Sequence, residues 1–98
     1  SLEAITKIID IELKGLYNRI ESIGYKLVIE DKAKQFVASK GYDVQYGARP
    51  LKRAIQTYLE DGLSELIIWL TNEGDTITVS LNEEKGELEM KNEAKTAE

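Results

Sequence analysis

Ile5, Ile9, Leu13, Leu16, Ile20 and Ile23 recur at steps of three and four near the start of the chain. That period sets six branched apolar side chains along one stripe of an α-helix. Glu3, Lys7, Asp10, Glu12, Lys14, Asn18 and Arg19 fall mostly off the stripe. The spacing predicts one long helix over residues 2–23, about 33 Å end to end. A helix with a single apolar stripe needs a second layer to cover it, so the other residues are expected to pack against this one. Gly15 weakens the helix interior by about 1 kcal/mol relative to alanine. Gly24 is placed to end the helix in the left-handed conformation.

The rest of the chain alternates between two periods. In "YKLVI", residues 25–29, Tyr25, Leu27 and Ile29 alternate with Lys26 and Val28, the pattern of a short strand. Asp31 then reads as the N-cap of a helix that turns Ala33, Phe36 and Val37 inward and closes at Gly41. Residues 41–48, "GYDVQYGA", form a connection. A third helix starts around Pro50, with Leu51, Ile55, Tyr58 and Leu59 as its apolar face and a break or bend at Gly62. "LSELIIWL", residues 63–70, continues as helix and is apolar almost all round. Such a segment is buried in its own domain or covered by something else. Of these, burial of Ile67, Ile68, Trp69 and Leu70 in the domain's own core is the simpler expectation. "DTITVSL" and "ELEMK" alternate as two strands, joined by "NEEKG" into a hairpin. The expected order is α-β-α-α-α-β-β: an α+β fold, helices packed on a small three-stranded sheet. Residues 1–91 are expected to form the domain and 92–98 a flexible tail.

Composition narrows the chemistry. The 98 residues suffice for one modest core. There is no cysteine and no histidine, which removes disulfides, thiolate and imidazole metal sites, and every Cys-His or Ser-His-Asp apparatus. Only an all-carboxylate metal site stays open. The absence of cysteine suits a reducing cytoplasm. A net charge of −5 disfavours a nucleic-acid binder. No run of eighteen apolar residues occurs. The first residues are amphipathic and charged, unlike a signal peptide, and the chain opens on Ser1, as expected of a piece cut from something longer or of a processed chain. The acid pairs Glu30–Asp31 and Glu83–Glu84 read as a helix cap and a hairpin tip rather than catalytic carboxylates. Trp69 and the five tyrosines read as packing residues.

Against this acidic background, "QYGARPLKRAIQTYL", residues 45–59, contains Arg49, Lys52 and Arg53 and no acid. The spacing i, i+3, i+4 places the three cations on one side of a first helical turn. That end of a helix already carries partial positive charge, so cations there are disfavoured by about 0.3–1 kcal/mol each when exposed. An external anion resolves the excess, since free N–H groups and a guanidinium make a phosphate site. Gly47 lets the backbone turn sharply or approach closely. The alternative is a solvated face, or pairing with some of the eighteen acids elsewhere.

"GYDVQYGARPLKRAIQ" followed by "LEDGLSELI" closely resembles the C-terminal small, or lid, domain of the second ATPase ring of Clp-family AAA+ unfoldases. The resemblance runs from about Ile8 to Met90, and proline after the arginine fits the ClpC, ClpA and ClpB branch better than the ClpX type. It implies that Arg49 is the sensor-2 arginine, reaching the γ-phosphate of ATP held mainly by a large domain, with Gly47 and Ala48 shaping the approach. Lys52 and Arg53 are supporting basic positions, and the role of Arg53 is open. No phosphate loop G-x-x-x-x-G-K-[ST] occurs, and no apolar run ending in paired acids to hold Mg²⁺. The fragment alone is therefore not expected to hydrolyse ATP or to bind it tightly. The partners implied are its own large domain, neighbouring subunits of a hexamer, protein substrates threaded by the whole machine, and in some branches a peptidase; nucleic acid and membrane are not among them. Two other readings stand beside this one: a stand-alone protein-interaction module with no nucleotide role, and a small phosphate- or RNA-binding α/β domain, the latter disfavoured by charge.

Overall fold

The computed structural model describes residues 2–41, 50–69 and 74–93. α1 (Leu2–Ser22) leads to β1 (Lys26–Ile29) and α2 (Asp31–Gly41). A second helical rod follows in three parts: α3 (Leu51–Ile55), a π turn (Gln56–Glu60) and α4 (Asp61–Trp69). β2 (Thr76–Asn82) and β3 (Glu87–Glu93) complete the fold. The sheet order is β1-β2-β3, with β1 parallel to β2 and β2 antiparallel to β3. The α+β expectation is met, in the expected order.

α1 ends as its sequence dictates. Gly24 has φ 97°; its N–H donates to the Glu21 carbonyl, and the Tyr25 N–H donates back to Ile20. These are the two bonds of a Schellman motif, and the buried pair Ile20–Tyr25 supplies its apolar contact. α2 begins one residue earlier than a cap at Asp31 requires: the Glu30 carbonyl accepts from Lys34, so Asp31 sits in the first turn, where its charge suits the helix dipole.

A parallel β1–β2 pair needs a long crossover, and α2, α3 and α4 provide it. Leu27 pairs with Ile77 and Ile29 with Val79, and all four are buried on the helix side. Lys26 and Val28 lie on the outer side of β1, exposed. The hairpin sets Met90 beside Val79 and Leu88 beside Leu81, turning at Gly86 with φ 64°. The core joins Ile9, Leu13, Leu16 and Ile20 of α1 to Val37, Leu51, Ile55, Leu59 and Leu63. Ile23, the last member of the N-terminal stripe, lies beyond the end of α1 and is 47% exposed.

Of two glycines, Gly41 closes α2 as the sequence predicts and Gly62 acts differently. Gly41 is helical and buried; a Cβ there would stand 2.7 Å from the Leu51 Cα. α3 passes directly against it. Gly62 neither breaks nor bends the rod, since α4 runs through it. A Cβ at Gly62 would stand 2.9 Å from the Met90 thioether, so the missing side chain is space for β3.

The irregularity lies just upstream, and spacing explains it. Leu51, Ile55, Leu59, Leu63 and Ile67 recur at unbroken steps of four. At about 100° per residue, each step of four would carry an α-helical stripe about 40° round the axis. The wider π turn, closed by the Asp61 N–H donating to the Gln56 carbonyl, absorbs that drift. Leu51, Leu59 and Leu63 therefore all stay at 1% exposure or less.

Candidate functional site

The cationic stretch begins where α2 and α3 touch. Lys40, in the last turn of α2, lies 5.3 Å from the Phe36 ring centre, a cation–π contact that also suits the negative helix end. Gly47, Ala48 and Arg49 lie outside the described residues. Pro50 has φ −73° and ψ −1°, and its carbonyl accepts from the Ala54 N–H at 2.9 Å. It thus caps the rod from one residue outside, and no side chain caps the turn. No acid lies in this first turn, while Lys52 and Arg53 do.

Lys52 and Arg53 are both exposed, but they diverge. Adjacent residues on a helix point about 100° apart. Lys52 lines a shallow cleft of about 260 Å³ with Glu12, Arg19 and Glu60. Arg53 lines another, of about 200 Å³, with Lys40, Pro50, Thr57 and Tyr58. The single cationic face read from spacing is therefore two sides of one helix. Among the described residues, ion pairs join Arg19 to Glu60 at 2.8 Å, Lys32 to Glu83 at 3.3 Å and Lys34 to Asp10 at 3.1 Å; Lys52 and Arg53 are in none of them. The Lys32 contact places Glu83 at an exposed hairpin tip, as its sequence implied. No cluster of acidic residues suited to a metal ion occurs among the described residues.

The other end of the rod corrects the sequence expectation. Leu63 is buried and Ile67 half-buried, but Ile68 is 75% and Trp69 78% exposed. Leu70 lies outside the described residues. Ile68 and Trp69 do not fill the core because α4 packs against the sheet at its edge strand, β3, and its step-four stripe turns these two residues away. Beside them a groove of about 480 Å³ runs between α1 and α4, lined by Leu16, Ile20, Ile23, Leu63 and Ile67 and edged by the Arg19–Glu60 pair. Sequence reading did not find that ion pair, which joins residues 41 positions apart. The aromatic residues also divide: Tyr25 is buried, Tyr17 half-buried, and Tyr58 exposed with its ring edge-on to Phe36 at 5.6 Å.

A helical layer on one face of a mixed three-stranded sheet, with a cation-bearing rod crossing it, defines a small lid-type α+β domain. Residues 1–79 match the family described as the C-terminal, D2-small domain, of ClpB protein. The ATP-dependent Clp protease ATP-binding subunit ClpC of Staphylococcus aureus (strain USA300) is 46% identical over 66 residues, covering 67% of this chain and 8% of that protein. Chaperone protein ClpB of Vibrio vulnificus (strain YJ016) is 47% identical over 68 residues, 69% of this chain and 8% of that protein. The chain belongs to the ClpB D2-small domain family. It spans under a tenth of the length of these curated relatives. No helix among the described residues is long and apolar enough to cross a membrane.

Proposed function

We propose that this domain is the nucleotide-sensing lid and a subunit-contact surface of a hexameric, ATP-driven Clp protein unfoldase of the cytoplasm. Arg49 supplies the sensor-2 guanidinium to the γ-phosphate of ATP, which with its Mg²⁺ is held mainly by a large domain outside these residues. Gly47 and Ala48 shape the approach. Contact with the triphosphate and not with the diphosphate gives the two states different lid positions, the differential interaction a switch requires. What carries the reading is the family match across the Gly-Ala-Arg-Pro motif, together with a helix start that concentrates cations and contains no acid. The exposed Ile68 and Trp69 belong to the surface that neighbouring domains cover. Protein substrates, and a peptidase where one is engaged, are partners of the whole machine.

Arg49→Ala in the full-length protein tests the reading. ATP hydrolysis or nucleotide-coupled unfolding is expected to fall by roughly tenfold or more, while the domain's own melting temperature is unchanged. Unaltered turnover would end the sensor assignment. The isolated chain is expected to show no ATPase rate above background.

A further inference from the structure

The rod over residues 51–69 contains a second apolar stripe whose members Tyr58 and Trp69 the observed structure leaves outside, while Leu66 packs partly buried against the core. Were it α-helical throughout, Leu51 and Ile55 would be followed on the core side by Tyr58, Gly62, Leu66 and Trp69, at steps of three, four, four and three. The π turn selects the other stripe, Leu59, Leu63 and Ile67, and leaves Tyr58 and Trp69 outside. Two contacts hold that choice. Tyr58 meets Phe36 of α2 edge-on, and Glu60 pairs with Arg19 of α1 at 2.8 Å. Beyond the turn, Leu63 is the one fully buried side chain of α4, with Leu66 and Ile67 packed partly buried beside it, so rotation of this helix trades these contacts for those of Tyr58 and Trp69.

We propose that the π turn is a register switch. In the observed state it holds Trp69 outward. When the turn relaxes to α-helix, α4 rotates by about 100°, Tyr58 and Trp69 swing to the core side, and Leu59 and Leu63 rotate out. The observed state is the major one, because the relaxed state buries Gly62 in place of Leu63. The Arg19–Glu60 pair is the latch: a rotation of about 100° carries Glu60 away from Arg19. The device sets whether the apolar end of the rod is available to a partner, and it does not depend on Arg49 or on nucleotide.

Trp69 is the sole tryptophan, so the chain contains its own reporter. Acrylamide quenching of Trp69 and amide exchange over 56–60 are measured in the parent, in Glu60→Gln and in Arg19→Gln. Opening the latch is expected to speed exchange of the turn by roughly fivefold and to lower quenching in both variants alike. Deletion of Thr57, an exposed residue of the turn, removes the extra position. The rod then becomes α-helical with Leu59, Leu63 and Ile67 still inward. That chain is expected to melt cooperatively, to keep Trp69 as quenchable as in the parent, and to be insensitive to Glu60→Gln. Unchanged quenching and exchange in both latch variants would overturn the switch, as would loss of folding on deleting Thr57.

Discussion

α1 and the rod over 51–69 are built from the same materials and have different backbones. The buried residues of α1, Ile9, Leu13, Leu16 and Ile20, step by four, three and four. That mean is close to the turn of an α-helix, and α1 is regular for 21 residues. The large buried residues of the rod, Leu51, Ile55, Leu59 and Leu63, step only by four, with the small Ala54 beside them, and the rod opens into a π turn at its middle. Each buries a row of four large aliphatic side chains. The phase of the apolar repeat decides whether the hydrogen-bond ladder stays regular, because burying every member outweighs the cost of one widened turn.

That comparison breaks first at its most buried residues. Leu13 and Leu59 are both at 0% exposure. Replacing either with alanine is expected to cost about 2–5 kcal/mol in urea unfolding. A Leu59→Ala cost far below that of Leu13→Ala would mean that the π turn does not hold its residue in the core.

The next largest effect separates two glycines of the second helical layer. Gly41→Val sets a side chain against the Leu51 backbone, which has no room to yield, and is expected to cost about 1–3 kcal/mol. Gly62→Ala meets only the flexible end of Met90 and is expected to change stability by less than about 1 kcal/mol. Equal costs would contradict the close α2–α3 contact.

Gly15 of α1 is the smaller counterpart. Nothing lies within 4 Å of a Cβ there, so Gly15→Ala is expected to stabilise by about 0.5–1 kcal/mol through helix propensity alone, read as a rise in Tm.

The smallest effect is a matter of pH. Burial opposes the charge of Lys34, but its hydrogen bond to Asp10, with the nearby charges of Tyr17, Asp10 and Asp31, more than offsets this and holds its pKa above the ordinary 10.5. A raised lysine pKa stabilises the fold fully below the unfolded value and loses that stabilisation as pH climbs through the folded one. Stability is therefore expected to decline above about pH 10.5 by up to about 1 kcal/mol, and Asp10→Asn to flatten the decline.

Much of this fold was legible in order. Steps of three and four marked α1, alternation marked Leu27–Ile29 and Ile77–Val79, and Gly24 and Gly86 marked where the chain reverses. Each is a local rule that a residue obeys with its near neighbours. The motif on which the proposed function rests, Gly47, Ala48, Arg49 and Pro50, is contiguous, and a contiguous motif needs no tertiary knowledge to be recognised. What went unread involved distant partners. The closeness of Gly41 to Leu51, the space Gly62 leaves for Met90, and the Arg19–Glu60 pair each join elements brought together only by folding. Ile68 and Trp69 were assigned inward because a run of apolar residues carries no record of which ones face the neighbouring layer.

The linear order of helices and strands, the ends of α1 and of the hairpin, and the excess of cations around position 49 are properties of the chain alone, since turn chemistry, period and charge act over a few residues. The choice between the two apolar stripes of residues 51–69 belongs to the assembled fold. Both stripes are present in the sequence, and only the shape of the surface formed by α1, α2 and the sheet favours burying Leu59 and Leu63 over Tyr58 and Trp69.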